Sequence, residues 1–224
     1  EIVVLDDNSE DRTLEVVNTY GKKIKIYRRP LVNDFSSQRN FGLQKAKHDW
    51  VLFLDADERV SASLREEIKD LGSKIKDQNI SGFFIKRLDV MWGRELKHGE
   101  TGNMKLVRFA KKSAGKWKGR VHEVWDVRGV TSELKNELIH YPHPTVREFL
   151  GEINTYSTIR AEELYKNGAK VSFLRIIIYP KAKFVVNYLL KLGFLDGLPG
   201  FVMALMMSFH SFLVRSKLWQ LNQK

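Results

Sequence analysis

The sequence predicts an α/β fold in which a helix-covered parallel sheet leads into a mixed extension and then into C-terminal helices. Three observations carry this. Short apolar runs alternate with helical patterns up to about residue 70, as parallel sheets with helical crossovers do. From Ser81 to Pro142, shorter strand-like runs separated by turn residues take over. After Thr145 come one amphipathic stretch and two strongly apolar ones.

Glu1–Leu5 reads as the first strand, and Arg12–Tyr20 as a helix with Leu14, Val16 and Val17 on its buried side. Ile24–Tyr27 is a second strand and Phe35–Lys47 a second helix. Trp50–Leu54 is a continuous apolar run, expected of a buried strand in a parallel sheet. A third helix starts near Ser61 or Ser63, with Glu66 completing a capping box on Ser63. Strands are expected at Ser81–Arg87, Met104–Phe109, Val121–Val127 and Glu137–Tyr141. Thr145 and Glu148 form another capping box, opening a helix to about Asn167. Two apolar helices, Ser172–Leu192 and Leu198–Leu218, are broken near Gly193–Gly200. The expected division is a sheet domain, 1–143, and a helical, basic-apolar region, 144–224.

At 224 residues, 43% hydrophobic and 29% charged, the chain is globular and fits one large domain or a domain with an appendage. Without cysteine it has no disulfide and no thiolate metal site, which fits a reducing compartment. No secretory signal is visible, and the chain starts without Met inside a strand, so a fragment is expected. From Lys166 onward nine Lys or Arg face one acid, Asp196, which places +8 of the net +11 in that stretch. Interleaved with apolar runs, these charges point to an anionic membrane surface rather than nucleic acid. Lys181, Lys183 and Lys191 are spaced to snorkel, with Phe184, Val185, Tyr188 and Leu189 facing inward. Phe201–Val214, 14 residues, is shorter than the roughly 20 that a span requires. The tail is therefore expected to lie on the membrane; the alternative packs these helices onto the sheet domain as ordinary core.

The chemistry gathers at strand ends, where open α/β sheets bind ligands. "WVLFLDADERV" places Asp55, Asp57 and Glu58 behind an apolar run. Crowded carboxylates repel unless a cation sits among them. A D-x-D pair after a strand suits Mg²⁺ or Mn²⁺, which leave positions open for phosphate oxygens; the alternative is an acidic turn capping the next helix. "VVLDDNSEDRT" repeats the arrangement, and Asp6 or Asp7 there would accept hydrogen bonds from a nucleobase or ribose. The alternative is a cap cluster, for which Asn8, Ser9 and Asp11 are suited. Glu123, in "VHEVW" after the basic turn 115–120, is the candidate general base, or else a strand glutamate paired with an arginine. In a strand His122 would face away from it. Trp92 and Trp117 would stack on a sugar or pack in the core.

"VVLDDNSEDRT", "FSSQRNFGLQKA" and "WVLFLDADERV", in this order and spacing, resemble a family 2 glycosyltransferase of the GT-A (Rossmann-like) fold. "GRVHEVW", "LIHYPHPT" and the apolar tail resemble its bacterial branch of lipopolysaccharide-core β-1,4-glucosyltransferases. The resemblance implies an inverting transfer of a hexose from a UDP-glucose-like donor to a glycan or lipid-linked acceptor, on the cytoplasmic face of the plasma membrane. It implies that Asp7 meets the uracil, Arg39 lies near the nucleotide, and Asp55 contacts the ribose or the metal's water shell. Asp57 then binds Mg²⁺ or Mn²⁺, with His140 as a further metal ligand. Family members begin with an additional strand and a Tyr-Asn-Glu-type turn that are absent from this sequence, so weak donor binding by this chain alone is expected.

Two rivals remain. A haloacid-dehalogenase-type phosphatase also sets two aspartates after a strand, but it normally has Thr or Val where this chain has Arg59, and it leaves Asp6-Asp7 unused. A non-catalytic basic membrane-binding module explains the tail and leaves both acidic clusters idle.

Overall fold

β-branched and aliphatic residues at 2–6 and 24–28 favour extended backbone, and the computed structural model, which describes residues 1–21, 23–72, 75, 78–121 and 123–223, pairs them in parallel. Strand β1 (Ile2–Asp6) matches β2 (Ile24–Arg28) in register from Ile2↔Ile24 to Asp6↔Arg28. Helix α1 (Thr13–Thr19) crosses between them and buries none of its residues, so Val16 is exposed rather than inward. Helix α2 (Phe35–Lys45) is capped by Asp34, whose Oδ1 accepts from the Ser37 N–H at 2.8 Å. Gly42 lets α2 approach β1: a Cβ there would lie 2.9 Å from Leu5 Cδ1.

These elements belong to the first of two compact units, residues Glu1–Phe53, Leu71–Phe84 and Val107–Glu133. Strand β3 is short, Trp50–Leu52, and pairs antiparallel with the later strand β7 (Lys105–Lys111), Leu52 opposite Phe109. This corrects the expected parallel, fully buried strand: β3 is half-buried, and Leu54 is exposed. Strands β8 (Gly115–Lys118) and β9 (Val124–Val127) form an antiparallel ribbon with Trp117 opposite Trp125. The expected basic turn at 115–120 is thus mostly strand, and Glu123 lies just before β9 rather than within it. Leu43, Val107, Ala110, Trp117 and Trp125 make the core, with Phe53 edge-on to both indoles. Trp117, 4% exposed, is a core residue and unavailable for sugar stacking.

The second unit comprises Leu54–Asp70, Ile85–Leu106 and Leu134–Lys224. It holds β4 (Glu58–Val60), α3 (Ala62–Lys69), the end of β5 (Ile80–Met91), β6 (Arg94–Leu96) and β11 (Leu138–His140). The strand β10 (Val130–Glu133) pairs with the start of β5, within the first unit. The cap of α3 is Ser61, whose Oγ accepts from the Leu64 N–H at 3.1 Å. The capping box expected on Ser63 is replaced because the helix begins one residue after Ser61. Strand β11 runs parallel to β5, His140 beside Asp89, and antiparallel to β4, His140 beside Glu58. Trp92 and Gly93, at φ 51° and 79°, make the two-residue turn between β5 and β6, the geometry that favours tight hairpins.

Helix α4 (Val146–Lys166) starts at Thr145, as expected, with the Glu148 N–H donating to Thr145 Oγ1. Helix α5 (Phe173–Val185) contains Pro180 and continues as a π-turn over 186–190; helix α6 (Gly197–Leu221) follows a short 3₁₀ turn. Both α4 and α5 pack along α6. Met203 and Met206 of α6 join Met91, Leu96, Phe149 and Ile153 in the core of this unit. The bend between α5 and α6 is tight. A Cβ on Gly193 would lie 2.6 Å from the Asn187 carbonyl oxygen, and one on Gly200 would overlap the Gly193 carbonyl.

Candidate functional site

In the first unit, the doublet ending β1 divides its labour. Asp6 points inside, 3% exposed; its Oδ1 accepts from the Ser9 N–H and its Oδ2 from Arg28 Nε, both at 3.2 Å. The bond from Ser9 and the Arg28 charge hold its carboxyl below the usual range. Asp7 is exposed, and its Oδ1 accepts from the Leu31 N–H at 2.7 Å. Asn8 takes φ 56°, and Asp11 caps from outside the helix by accepting from Thr13 N–H.

The "FSSQRN" segment is fixed by a residue that sequence reasoning passed over. Arg29 donates to the Ser37 carbonyl at 2.7 Å, to Ser37 Oγ at 2.8 Å and to Gln38 Oε1 at 3.2 Å. Asn40 exchanges two 2.9 Å hydrogen bonds with the Trp117 backbone, which anchors α2 to β8. Between these anchors, Arg39 reaches Glu123, with Nε 2.7 Å from Oε1 and both side chains largely covered. The Arg39 guanidinium lies 4.7 Å from the Trp117 ring centroid, a cation–π contact. The structure thus joins the donor-binding candidate and the base candidate in one ion pair. His122 lies outside the described residues.

In the second unit, the turn 55–57 answers which cation meets the acids. Glu58 is turned inside, 4% exposed, and its Oε2 accepts from the Asp55 N–H at 2.9 Å. The three acids therefore do not share one face. Asp55 is half-buried, whereas Asp57 is exposed and faces His140, Oδ2 to Nε2 at 3.2 Å. On its other side His140 Nδ1 meets Asp89 Oδ1 at 2.8 Å. Asp89 is almost wholly buried and also pairs with Arg87 Nε at 3.0 Å. Burial alone would push the His140 pKa down, but the hydrogen bonds its ring donates to two carboxylates lift it to about 9. Desolvation opposes ionisation of Asp57, yet the His140 bond and charge bring its carboxyl below the usual range.

Asp89 is the residue that sequence reasoning missed. Its signal was an acid in the apolar strand run "FFIKRLDVM", where a buried charge requires partners.

Among the described residues no three acidic or imidazole side chains form a ready cation site. The donor types of Asp57 and His140 nevertheless suit one once a bound cation takes the place of the proton on His140 Nε2. A carboxylate oxygen and an imidazole nitrogen face each other, and the remaining ring nitrogen is oriented by a buried carboxylate, the usual outer support of a histidine ligand. Mg²⁺ and Mn²⁺ are commonly held by one or two protein groups, with substrate phosphate and water supplying the rest. Trp92 is partly exposed, its Nε1 donating to the His143 carbonyl at 3.1 Å.

Comparison with known proteins gives this geometry its context. The chain is 26% identical to a lipopolysaccharide core biosynthesis glycosyltransferase, LpsC, of Rhizobium meliloti, over 98% of this chain and 83% of that protein. It is 25% identical to an uncharacterized glycosyltransferase of Rickettsia typhi, over all of this chain and 79% of the other. Among solved structures, S. aureus TarS 1-349 in complex with UDP superposes with a TM-score of 0.46 at 17% identity, covering 100% of this chain and 82% of that one. The sequence model described as glycosyl transferase family 2 matches residues 1–123, more than half of the chain and the stretch holding Asp7, Arg39, Asp55, Asp57 and Glu123. The chain belongs to glycosyl transferase family 2 and has its mixed α/β, GT-A-type fold with C-terminal helices.

Proposed function

We propose that the chain transfers a hexose from a nucleotide sugar, UDP-glucose or a close analogue, to a glycan or lipid-linked acceptor of the bacterial cell envelope, with inversion. The observation that carries this is the Asp57–His140–Asp89 arrangement at the D-x-D turn of a family 2 chain. The envelope assignment draws on the lipopolysaccharide core enzyme to which the chain is similar along nearly its whole length. Transfer is assigned to residues 1–143 and membrane association to the helices of 144–224, which pack in the same compact unit as the D-x-D turn and β11.

In this reading Asp7 binds the uracil, Asp55 the ribose, and Arg39 the nucleotide. Asp57 and His140 hold Mg²⁺ or Mn²⁺, whose charge would offset that of the departing diphosphate. The acceptor oxygen forms its bond to the anomeric carbon as the bond to the UDP oxygen breaks, and Glu123 takes the hydroxyl proton. The 2.7 Å contact with Arg39 favours a second role for Glu123, in which it orients Arg39 and another group takes the proton.

A donor screen tests the proposal: UDP release from a panel of UDP-sugars, with Mg²⁺, with Mn²⁺ and with excess chelator. Release from a UDP-hexose that chelator abolishes is the expected result. Full activity in chelator removes the metal assignment. Cleavage of a simple phosphate ester, with every nucleotide sugar left intact, overturns the transferase assignment itself.

A further inference from the structure

Helices of a globular chain normally hide their apolar side. Here the second unit leaves a large part of it outside. On α6, Leu198, Phe201, Leu205, Phe209 and Phe212 recur every three or four residues and are all exposed, forming one stripe along the helix. Across the bend, Leu189, Leu190, Leu192, Phe194, Leu195 and Leu198 are between 43 and 72% exposed. Patches of this kind mark contact surfaces.

Charge selects the occupant. Arg175, Lys181 and Lys191 are exposed on or beside the patch. The single acid after Lys166, Asp196, is withdrawn from the surface: it is 3% exposed, accepts from the His98 N–H at 2.8 Å and meets His98 Nδ1 at 2.7 Å. The outer surface of α5, the bend and α6 therefore carries apolar and basic groups without a countercharge of its own. That combination matches the headgroup and acyl boundary of an anionic bilayer.

The bend is also held firmly. Gly99 N–H donates to the Lys191 carbonyl at 2.9 Å, Arg94 to the Leu195 carbonyl at 3.2 Å, and Asn187 and Lys183 to Glu100 at 3.0 and 2.6 Å. Lys183 is thus tied to the protein, and Val185 and Leu189 are exposed rather than inward, whereas Lys181 and Lys191 are exposed and Phe184 and Tyr188 half-buried against Phe201, as the snorkelling pattern expects.

We propose that α5, the bend and α6 form a monotopic docking element that enters one leaflet of an anionic membrane, bend first. The 25 residues of α6 are long enough to cross a bilayer, so the length argument drawn from Phe201–Val214 does not hold. Packing opposes the crossing in the folded chain. The opposite side of α6 is committed to the core through Met203 and Met206, and it packs along α4, which carries Arg147, Glu152, Arg160 and Glu163. The inference does not depend on which donor or acceptor the chain uses.

Co-sedimentation of the full chain with vesicles tests it. Binding to phosphatidylglycerol-containing vesicles at low salt, reduced by high salt and weak on pure phosphatidylcholine, is expected. The double variant Leu190→Glu/Leu198→Glu should lower partitioning by at least about tenfold, since each leucine would lose its burial in lipid. Its thermal unfolding should stay unchanged, because both side chains are exposed; Leu190→Ile/Leu198→Ile should bind as the parent does. Three results overturn the proposal. One is a parent chain that stays in the supernatant with anionic vesicles at low salt. Another is a stable dimer in sedimentation velocity that the Leu198→Glu change dissociates, which would give the face to a second copy. The third is resistance to alkaline carbonate, which would mean a span.

Discussion

The two acidic turns look like duplicates in the sequence, yet they are built differently. After β1, the inward acid, Asp6, is satisfied by its own turn and by Arg28 on the neighbouring strand, and the outward acid, Asp7, rests on one backbone N–H. After β3, the inward acid, Glu58, braces the turn through the Asp55 N–H, and the outward acid, Asp57, faces a histidine anchored on a buried carboxylate. The first arrangement offers a neutral recognition group a hydrogen-bond acceptor. The second concentrates charge and is suited to a cation and a phosphate. In the proposed reading similar motifs would therefore serve different ligand chemistry, and what separates them is the partner of the outward acid.

The largest expected effect comes from removing that acid at the second turn. Asp57→Ala should cut UDP release by more than about 100-fold, beyond the roughly 10–100-fold typical of groups that only support a ligand, with the melting temperature held. A variant retaining most of its rate would erase the distinction between the turns. Next comes Glu123→Gln, expected to lower kcat by about 100-fold if the residue is the base. If it only orients Arg39, then Arg39→Lys should cost the same and the double variant no more, as contacting residues do not add. A double-variant cycle on kcat decides between the two roles.

At the first turn the effects should separate by residue. Asp7→Ala is expected to raise the donor KM by about tenfold, one hydrogen bond's worth, without altering stability. Asp6→Ala should lower the melting temperature instead, measurable by calorimetry. Equal behaviour of the two would undo the division of labour.

Titration sharpens the second turn. In chelator-treated protein, NMR should place the His140 pKa at about 9, and Asp89→Asn should return it toward 6.5. Because the folded value is raised, the stability His140 contributes is fully present below 6.5 and disappears as pH climbs through about 9. Asp57, whose folded value is lowered, contributes above 3.8 and loses its share as pH falls. Both contributions are present in full between about 4 and 6.5, and a melting temperature flat across pH 6 to 10 would contradict the pairing. The smallest effect concerns the helix after this turn: Ser61→Ala should cost about 1 kcal/mol as the loss of a cap, and Ser63→Ala clearly less, by chemical denaturation.

Much of this was legible because local chemistry decided it. The strand-and-helix alternation and the cap at Thr145 follow from neighbouring residues. The antiparallel partner of β3 was not legible, because Trp50–Leu52 reads the same whichever strand it meets. Nor was the Arg39–Glu123 pair, formed across 84 positions of chain, or the role of Asp89, whose meaning appears only when β11 lies beside β5. Pairing across long separations is set by topology, and the periodicity of one segment carries no record of it.

The bend between α5 and α6 separates two kinds of mutational freedom. Gly193 and Gly200 sit where backbone meets backbone, so almost any replacement there pries the helices apart. The leucines outside it are largely exposed, and the phenylalanines make edge or stacking contacts with other rings, so one apolar side chain can stand in for another. Sequence drift should accordingly be rapid on the outside and nearly frozen at the two glycines, allowing the outer face to be re-tailored to a different lipid composition while the bend keeps its form.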